Sequence, residues 1–498
     1  MRPKSRLFAT AGAVAVAGLL AGCVTPNINP SRQPLDSAAV GLSGPAQAPA
    51  TDWWRGLNDP QLDRIMADAL AGDPTLDEAL ARLQVARAGV ETSGAGLLPQ
   101  VAIDGEEDRA LLSGSYEIPR PYAGTDRWVG STQASLAWSL DFAGKQRALI
   151  REARASSEAS ALDLAAARLA LTGAVAQAYV GLTRAELQIA IAQAFVASRE
   201  QGLDLARVRA RSNLASQFDI QAARTLLAEA QKSLDKAKGE RALMVHALAA
   251  LAGQGADAYA GVTTSSLSLG AALPLPAALP ANLLDRRPDI LAARARIAAA
   301  GAGRKAAAAD FYPSVDLHAF LGVSAIGMAS LLTSNALTYG AGPAIHVPVF
   351  EGGRLRAQYK AATAQLDAAT ASYNAQALQA VREAADALSQ TLATQAQAAD
   401  QRQILSGLAE TERLDQVRTR AGLGTQLDIL ASGERLLEAR QTQADLDAEG
   451  LTRRIQLLVS VGGDFNPAVA VGGDFKPNSS VHPAAAADDR GANAKVRS

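Results

Sequence analysis

The chain repeats itself, and the repeat dictates its architecture. Leu98-Pro99-Gln100-Val101 and Tyr312-Pro313-Ser314-Val315 stand 214 residues apart. Ala143-Gly144-Lys145-Gln146-Arg147 and Gly352-Gly353-Arg354-Leu355-Arg356 stand 209 apart, as do the arginine-rich segments Val208–Ile220 and Val417–Ile429. The register holds through Gly253 and Gly462. A chain of 498 residues therefore reads as two copies of one unit of roughly 200 residues, and not as two unrelated domains.

Each copy carries the same order of elements. A helix is expected from about Pro74 to Leu97, and again from about Pro288 to Phe311, with proline in the first turn where its missing N–H costs nothing. Pro99 and Pro313 end these helices, two strands follow, and then a very long helical region. No proline occurs between Pro121 and Pro274 or between Pro348 and Pro467. Leu366, Tyr373, Val381 and Leu388 recur about every two helical turns, as a packed seam requires. A helix from Lys145 to Arg211 would be about 100 Å long, which implies coiled-coil-like packing or a tunnel wall.

The strands alternate. Trp128, Ala134, Leu136, Trp138, Leu140 and Phe142 interleave with Ser131, Gln133, Ser135, Ser139 and Asp141, and Val315, Leu317, Ala319, Leu321 and Val323 with Ser314, Asp316, His318 and Ser324. Alternation over about ten residues with aromatics near the ends is the pattern of a lipid-facing barrel strand. A half-buried soluble strand has the same period, so alternation alone leaves both open. The strands at about Val101–Leu111 and Leu337–Val349 are less regular. Two strands per copy make four per chain, too few to close a barrel, and open edges are not viable in lipid. If the sheet spans a membrane, the protein must oligomerise.

The N-terminus is an address. Arg2, Lys4 and Arg6 precede an apolar run ending in Leu20-Ala21-Gly22-Cys23. That is an export signal closing in a bacterial lipobox, with Cys23 as the lipidation site. Beyond it no uninterrupted apolar stretch is long enough for a membrane helix. The chain is read as 1–22 signal peptide, 23–51 lipidated linker, 52–253 first repeat, 254–286 inter-repeat equatorial segment, 287–466 second repeat and 467–498 disordered tail. The linker is rich in Pro, Ala, Ser and Gly, and a short duplication, Val461-Gly-Gly-Asp-Phe-Asn-Pro and Val471-Gly-Gly-Asp-Phe-Lys-Pro, leads into the tail.

The aligned segments Arg211–Asp219 and Arg420–Asp428 read as helix-hairpin tips. Gly422 and Asn213 suit a left-handed helix end, and Ser216 with Asp219, and Thr425 with Asp428, form the Ser/Thr-x-x-Asp capping pattern. Arg207, Arg209, Arg211, Arg418 and Arg420 read as a solvated face, some paired with Asp204 or Asp415. Composition argues against other classes. Forty-eight Lys and Arg against 49 Asp and Glu exclude a general nucleic-acid binder. One cysteine and four histidines disfavour a metal centre, and no cofactor or catalytic motif is apparent.

On these residues the chain resembles the TolC-like outer-membrane efflux channels, in the lipoprotein branch. The resemblance rests on the lipobox, on Trp53-Trp54-Arg55 with Asn58-Asp59-Pro60-Gln61-Leu62, and most on Leu279-Pro280-x-x-Leu283-Leu284-x-Arg286-Arg287-Pro288-Asp289-Ile290 and Asp310-Phe311-Tyr312-Pro313-Ser314-Val315. It covers about residues 20 to 465. It implies a mainly α fold with a membrane β-barrel, built as a homotrimer whose protomers each give four strands to a twelve-stranded barrel and their helices to a periplasmic tunnel. It further implies a passive duct for small toxic compounds, a periplasmic adaptor docked on the tips (Asn213, Leu214, Ala215, Ser216, Gly422, Leu423, Gly424, Thr425) and an inner-membrane pump, with no enzymatic activity. Periplasmic constriction candidates by the same resemblance are Asp219, Asp428, Asp415, Arg418 and Arg420. A second acidic position in relatives, one turn beyond Asp428, corresponds to Ala431 here. Type I protein secretion uses the same fold and is the alternative, and a poreless periplasmic coiled-coil lipoprotein is a third reading.

Overall fold

A computed structural model describes residues 26–45, 52–115, 118–271, 273 and 278–466. The signal peptide, Cys23 and the tail from 467 on lie outside the described residues.

Asp59 opens the first helix, α1 (Pro60–Gly72), by accepting from the backbone N–H groups of Gln61 and Leu62, and Asp73 opens α2 (Pro74–Ala95) in the same way. After Pro99 come β1 (Gln100–Leu111) and β2 (Asp126–Ser139), then α3 (Lys145–Arg211) and α4 (Gln217–Leu251). The second copy follows the same order: α5 (Pro288–Ala309), β3 (Ser314–Ile326), β4 (Leu337–His346), α6 (Arg354–Arg420) and α7 (Gln426–Ser460). The repeat extends to length. α3 and α6 each have 67 residues, α4 and α7 each 35, α2 and α5 each 22. At 1.5 Å per residue the two long helices span about 100 Å, as the proline-free stretches predict.

The four strands form one antiparallel sheet in the order β1-β2-β3-β4, so the two copies contribute adjacent hairpins. β2 ends at Ser139 and β4 at His346, short of the expected Phe142 and Val349. The second boundary follows from Pro348, which cannot donate to a ladder.

The core lies where the copies meet at mid-length. Trp53, Trp54 and the α1 residues Leu62, Ile65 and Met66 pack on Val175, Tyr179 and Leu182 of α3, with Leu248 of α4 and Leu451 and Ile455 of α7. A second cluster joins Leu283, Leu284 and Ile290 to Tyr373, Ala377, Ala380 and Ala384 of α6. Arg287 ties this region together. Its guanidinium reaches Asp289 at 2.8 Å, Glu383 at 2.9 Å and the Ser460 carbonyl at 3.4 Å, joining α5 to α6 and to the end of α7. By composition α3 alone among the described helices is apolar enough to cross a membrane, but half of that stretch is buried in the protein. Its hydrophobicity belongs to the core.

The segment read as a linker is docked over its described part. The Ser31 N–H and hydroxyl and the Arg32 N–H donate to Asp367, and Leu35 donates to the Asn374 side chain. Tyr373 and Asn374 donate back to the carbonyls of Leu35 and Gln33. Leu42 is buried in the second cluster, and Gly44 bridges to Pro280. Residues 26–45 therefore form a strap along α6. A small-residue composition predicts freedom, but α6 presents partners more than 330 residues away in sequence.

Candidate functional site

Strand register decides which side of the sheet is which. Directly opposed residues share a face, and the pairs Val101↔Leu136↔Ala319↔Ala341 and Ile103↔Ala134↔Leu321↔Tyr339 run across all four strands. Trp138, Leu317 and Pro343 extend this face on one side, and Thr132, Val323 and Leu337 on the other. The opposite face carries Asp104, Glu106 and Asp108 on β1, Gln133 and Ser135 on β2, and Asp316 and His318 on β3. One face carries an apolar belt that Thr132 on β2 and Glu107 and Arg109 on β1 interrupt, and the other is mostly polar, with Phe320, Ala137 and Val129 among its residues.

Among the described helices, the short turns of the β3–β4 connection pack most on this sheet. Val101, Ile103, Leu321, Leu337, Tyr339 and Ile345 are all exposed. Covering such side chains stabilises by about 1.5–3 kcal/mol each, so an apolar face of this extent belongs against another apolar phase. That agrees with the lipid-facing reading of the alternation. Trp128 and Trp138 stand near opposite ends of β2, and the Trp138 indole N–H donates to the Leu97 carbonyl at 2.9 Å. The outer strands β1 and β4 have no further strand beside them among the described residues.

The far ends of the helices carry the second part of the site. Leu214 N–H donates to the Arg209 carbonyl and Asn213 N–H to that of Ala210; Leu423 and Gly422 repeat this with Arg418 and Thr419. Each is a Schellman helix end, with Asn213 at φ 58° and Gly422 at φ 74°. A side chain on Gly424 would meet the Thr419 hydroxyl at 2.9 Å, which explains glycine there against Ala215 in the first copy. Ser216 and Thr425 then open α4 and α7 with complete capping boxes.

Asp219 accepts from the Ser216 backbone N–H at 2.7 Å, and Asp428 from that of Thr425 at 2.8 Å. These hydrogen bonds, with those from the two hydroxyls, hold both carboxyls below their ordinary pKa, with smaller help from Arg209 and Arg418. Two of the three candidate constriction aspartates, Asp219 and Asp428, are thus engaged in capping while remaining exposed. Arg418 pairs with Asp415 at 3.7 Å and Arg207 with Asp204 at 2.9 Å, and Arg420 closes α6 one residue before its cap. The tips end in apolar side chains: Leu214 is 69% exposed, Leu423 73% and Phe218 79%. Phe218 was not singled out from sequence. Its signal is an aromatic placed just after an N-cap, before the buried face of the helix begins.

Residues 65–254 and 279–463, one stretch in each copy, match the family described as outer membrane efflux protein. The chain is 35% identical to the fusaric acid resistance protein FusA of Burkholderia cepacia over 368 residues, 70% of this chain and 68% of that protein. It is 30% identical to the pyoverdine export outer membrane protein OpmQ of Pseudomonas putida, over 84% of this chain and 89% of that one. The crystal structure of the outer membrane protein VceC from Vibrio cholerae superposes with a TM-score of 0.76 at 29% identity, covering 84% of this chain and all of that one. The match spans both repeats and takes in the four-stranded sheet and the helix hairpins, and the chain belongs to the outer membrane efflux protein family.

Proposed function

We propose that three copies of this chain form a lipid-anchored exit duct through the outer membrane, with the helices reaching into the periplasm toward an adaptor and an inner-membrane pump. The protein is an outer-membrane efflux channel of a Gram-negative cell, with a large periplasmic part. The observation that carries the proposal is the four-stranded sheet, with an exposed apolar belt on one face, a mostly polar opposite face and, among the described residues, no strand beyond β1 or β4. Closure of such a sheet requires further strands, and further copies of the same chain supply them without leaving an edge in lipid. Three copies give a twelve-stranded barrel whose polar faces line the pore.

The course of the strap supports lipidation of Cys23. Arg304 donates to the Ile28 carbonyl at 2.8 Å, near the sheet end of α5. Cys23 is five residues earlier, a reach of at most about 17 Å, so the acyl chains would enter the leaflet beside the base of the barrel. The exposed tips, with Leu214, Phe218 and Leu423, lie at the other end of the long helices and offer the adaptor an apolar contact. The names of the relatives, fusaric acid resistance and pyoverdine export, favour small-molecule efflux over protein secretion as the cargo class.

Purified protein in planar bilayers is expected to give discrete single-channel conductance, and a deletion strain to become sensitive to one or more small toxic compounds with an unchanged secretome. A protein with no conductance would be a spacer. A secretome change without altered compound sensitivity would favour type I secretion.

A further inference from the structure

Where the second copy closes on itself, the helices leave a cavity. α7 ends there and α5 begins, and α3 and α6 flank a space of about 460 Å³. Leu169 and Ala170 of α3, Ala387 of α6 and Val459 of α7 give it an apolar lining. Gln177, Gln390 and Gln456 add amides, and Asp289, Glu383 and Asp386 add carboxylates. Arg287 is the one cation among the lining side chains, so three carboxylates stand against a single guanidinium.

These charges are not equally engaged. Arg287 holds Asp289 at 2.8 Å and Glu383 at 2.9 Å, and Glu383 also accepts from Gln379. Asp386 is exposed, and among the described residues no hydrogen bond or ion pair engages its side chain or that of Gln390. The repeat does not need this carboxylate. At offset 209, Glu383, Asp386 and Gln390 correspond to Ala174, Gln177 and Gly181, so the first copy packs its long helix with neither acid. Offset 214 puts Asp73, a helix cap, in place of Arg287. Capping and packing account for the first junction, and they leave Asp386 in the second without a task.

The cavity lies on the side of the wall away from the equatorial core. Ala166, Ala170 and Gln177 line it from α3. At about 100° per residue they sit roughly half a turn round the helix from Val175, Tyr179 and Leu182, which pack with Trp53, Trp54 and α1. In a duct built from this chain those core segments belong outside, since on the inner side they would fill the bore. The cavity therefore opens toward the path of the cargo.

We infer that this cavity is a way station in the duct for small organic cations with an apolar body. Asp386, whose charge no protein cation offsets, takes the positive group, and Leu169, Ala170 and Val459 cover the apolar body. An organic anion of the same size meets the excess of carboxylates, and a hydrated inorganic ion gains nothing from the apolar lining. Ala170, Asp386 and Gln390 are exposed, so the ligand is held from one side and released quickly, as passage through a duct requires. The inference rests on the proposed exit duct and names a chemical class of cargo that its wall favours.

The test compares benzyltrimethylammonium with benzenesulfonate, each an aromatic ring with a charged group but of opposite sign, on the full-length protein in detergent and in planar bilayers. Titration calorimetry is expected to show one ammonium site per chain and no sulfonate binding, and the ammonium to interrupt single-channel current saturably. Asp386→Asn breaks no contact of the fold and is expected to weaken both effects roughly tenfold, the worth of one charge-assisted contact. Ala170→Trp fills the cavity from an exposed position and is expected to abolish them. Asp400→Asn is the control, removing another exposed, unpartnered carboxylate from nearly the same side of α6, about 21 Å along the helix, and is expected to change neither. An effect of Asp386→Asn no larger than that of Asp400→Asn overturns the inference. So does equal binding of the sulfonate, unaltered binding in Ala170→Trp, or a conducting wild type that the ammonium neither binds nor blocks. A wild type without conductance would overturn the channel reading instead, while calorimetry still decides whether the cavity selects the cation.

Discussion

Gly253 lies against the carbonyl of Gly72 so closely that a β-carbon on Gly253 would stand 1.9 Å from that oxygen. In the second copy Gly462 meets the Arg286 carbonyl in the same way, at 2.5 Å. Both glycines follow the last helix of their copy, and both carbonyls precede the proline helix that begins with Pro74 or Pro288. The quasi-equivalent contact closes each repeat on its own start. With φ of 67° and 100°, both positions also lie where a side chain strains the backbone. Gly253→Ala is therefore expected to destabilise by more than the ~1–3 kcal/mol of backbone strain alone, read as a lower thermal midpoint of the detergent-extracted protein. Gly255→Ala, two residues on with open space around it, is the control expected to change little.

The tip helices depend on their caps. Thr425→Ala removes the hydroxyl that caps the Asp428 N–H and is expected to cost about 1 kcal/mol, localised to the first turns of α7. Hydrogen exchange at the backbone amides of 426–429 is the readout, and Ser216→Ala should do the same at the first tip. The Asp219 and Asp428 carboxyls titrate below the usual 3.8, so their contribution is complete above that pH and is lost as the pH falls through their lower folded values. Tip protection is therefore expected to be flat from neutrality down to about pH 5 and to decline only in stronger acid.

Asp428→Ala bears on the entrance. If this carboxylate helps to narrow the periplasmic end, the substitution raises single-channel conductance. If capping is its whole role, conductance stays the same while the amides of 426–429 lose protection.

Arg287 joins three helices with one guanidinium and is mostly buried. Arg287→Met is expected to destabilise by about 1.5–3 kcal/mol, the usual worth of charge-assisted hydrogen bonds. Arg287→Lys should recover only part of this, since an ammonium cannot reproduce the fork that spans Asp289 and Glu383. Thermal midpoints of both variants with and without Glu383→Gln measure the coupling.

Asp367 holds the strap through three hydrogen bonds, all to residues 31 and 32. Asp367→Ala is expected to expose this segment to limited proteolysis while leaving lipidation intact. Cys23→Ser is expected to do the reverse, abolishing incorporation of labelled palmitate without opening the strap. Retained labelling of the serine variant would remove the anchor assignment.

Much of the architecture is local in origin and legible in the sequence. Helix starts at Pro74 and Pro288, left-handed ends at Asn213 and Gly422, the capping boxes and the 67-residue helices all follow from residues within a turn or two of each other. The repeat itself is a property of the sequence. Three matters depended on tertiary structure. An alternating strand is symmetric under exchange of its faces, so only the register across β1–β4 placed Val101, Leu321 and Tyr339 on one uncovered side. The docking of residues 31–35 relies on Asp367 and Asn374, partners too distant for any local pattern to reveal. Asp386 and Asp400 look alike in sequence, because helical period puts both on nearly one side of α6 but does not state that a cavity lies beside the first. Local hydrogen bonding and spacing determine the elements, whereas burial is a relation between elements and exists only once they are packed.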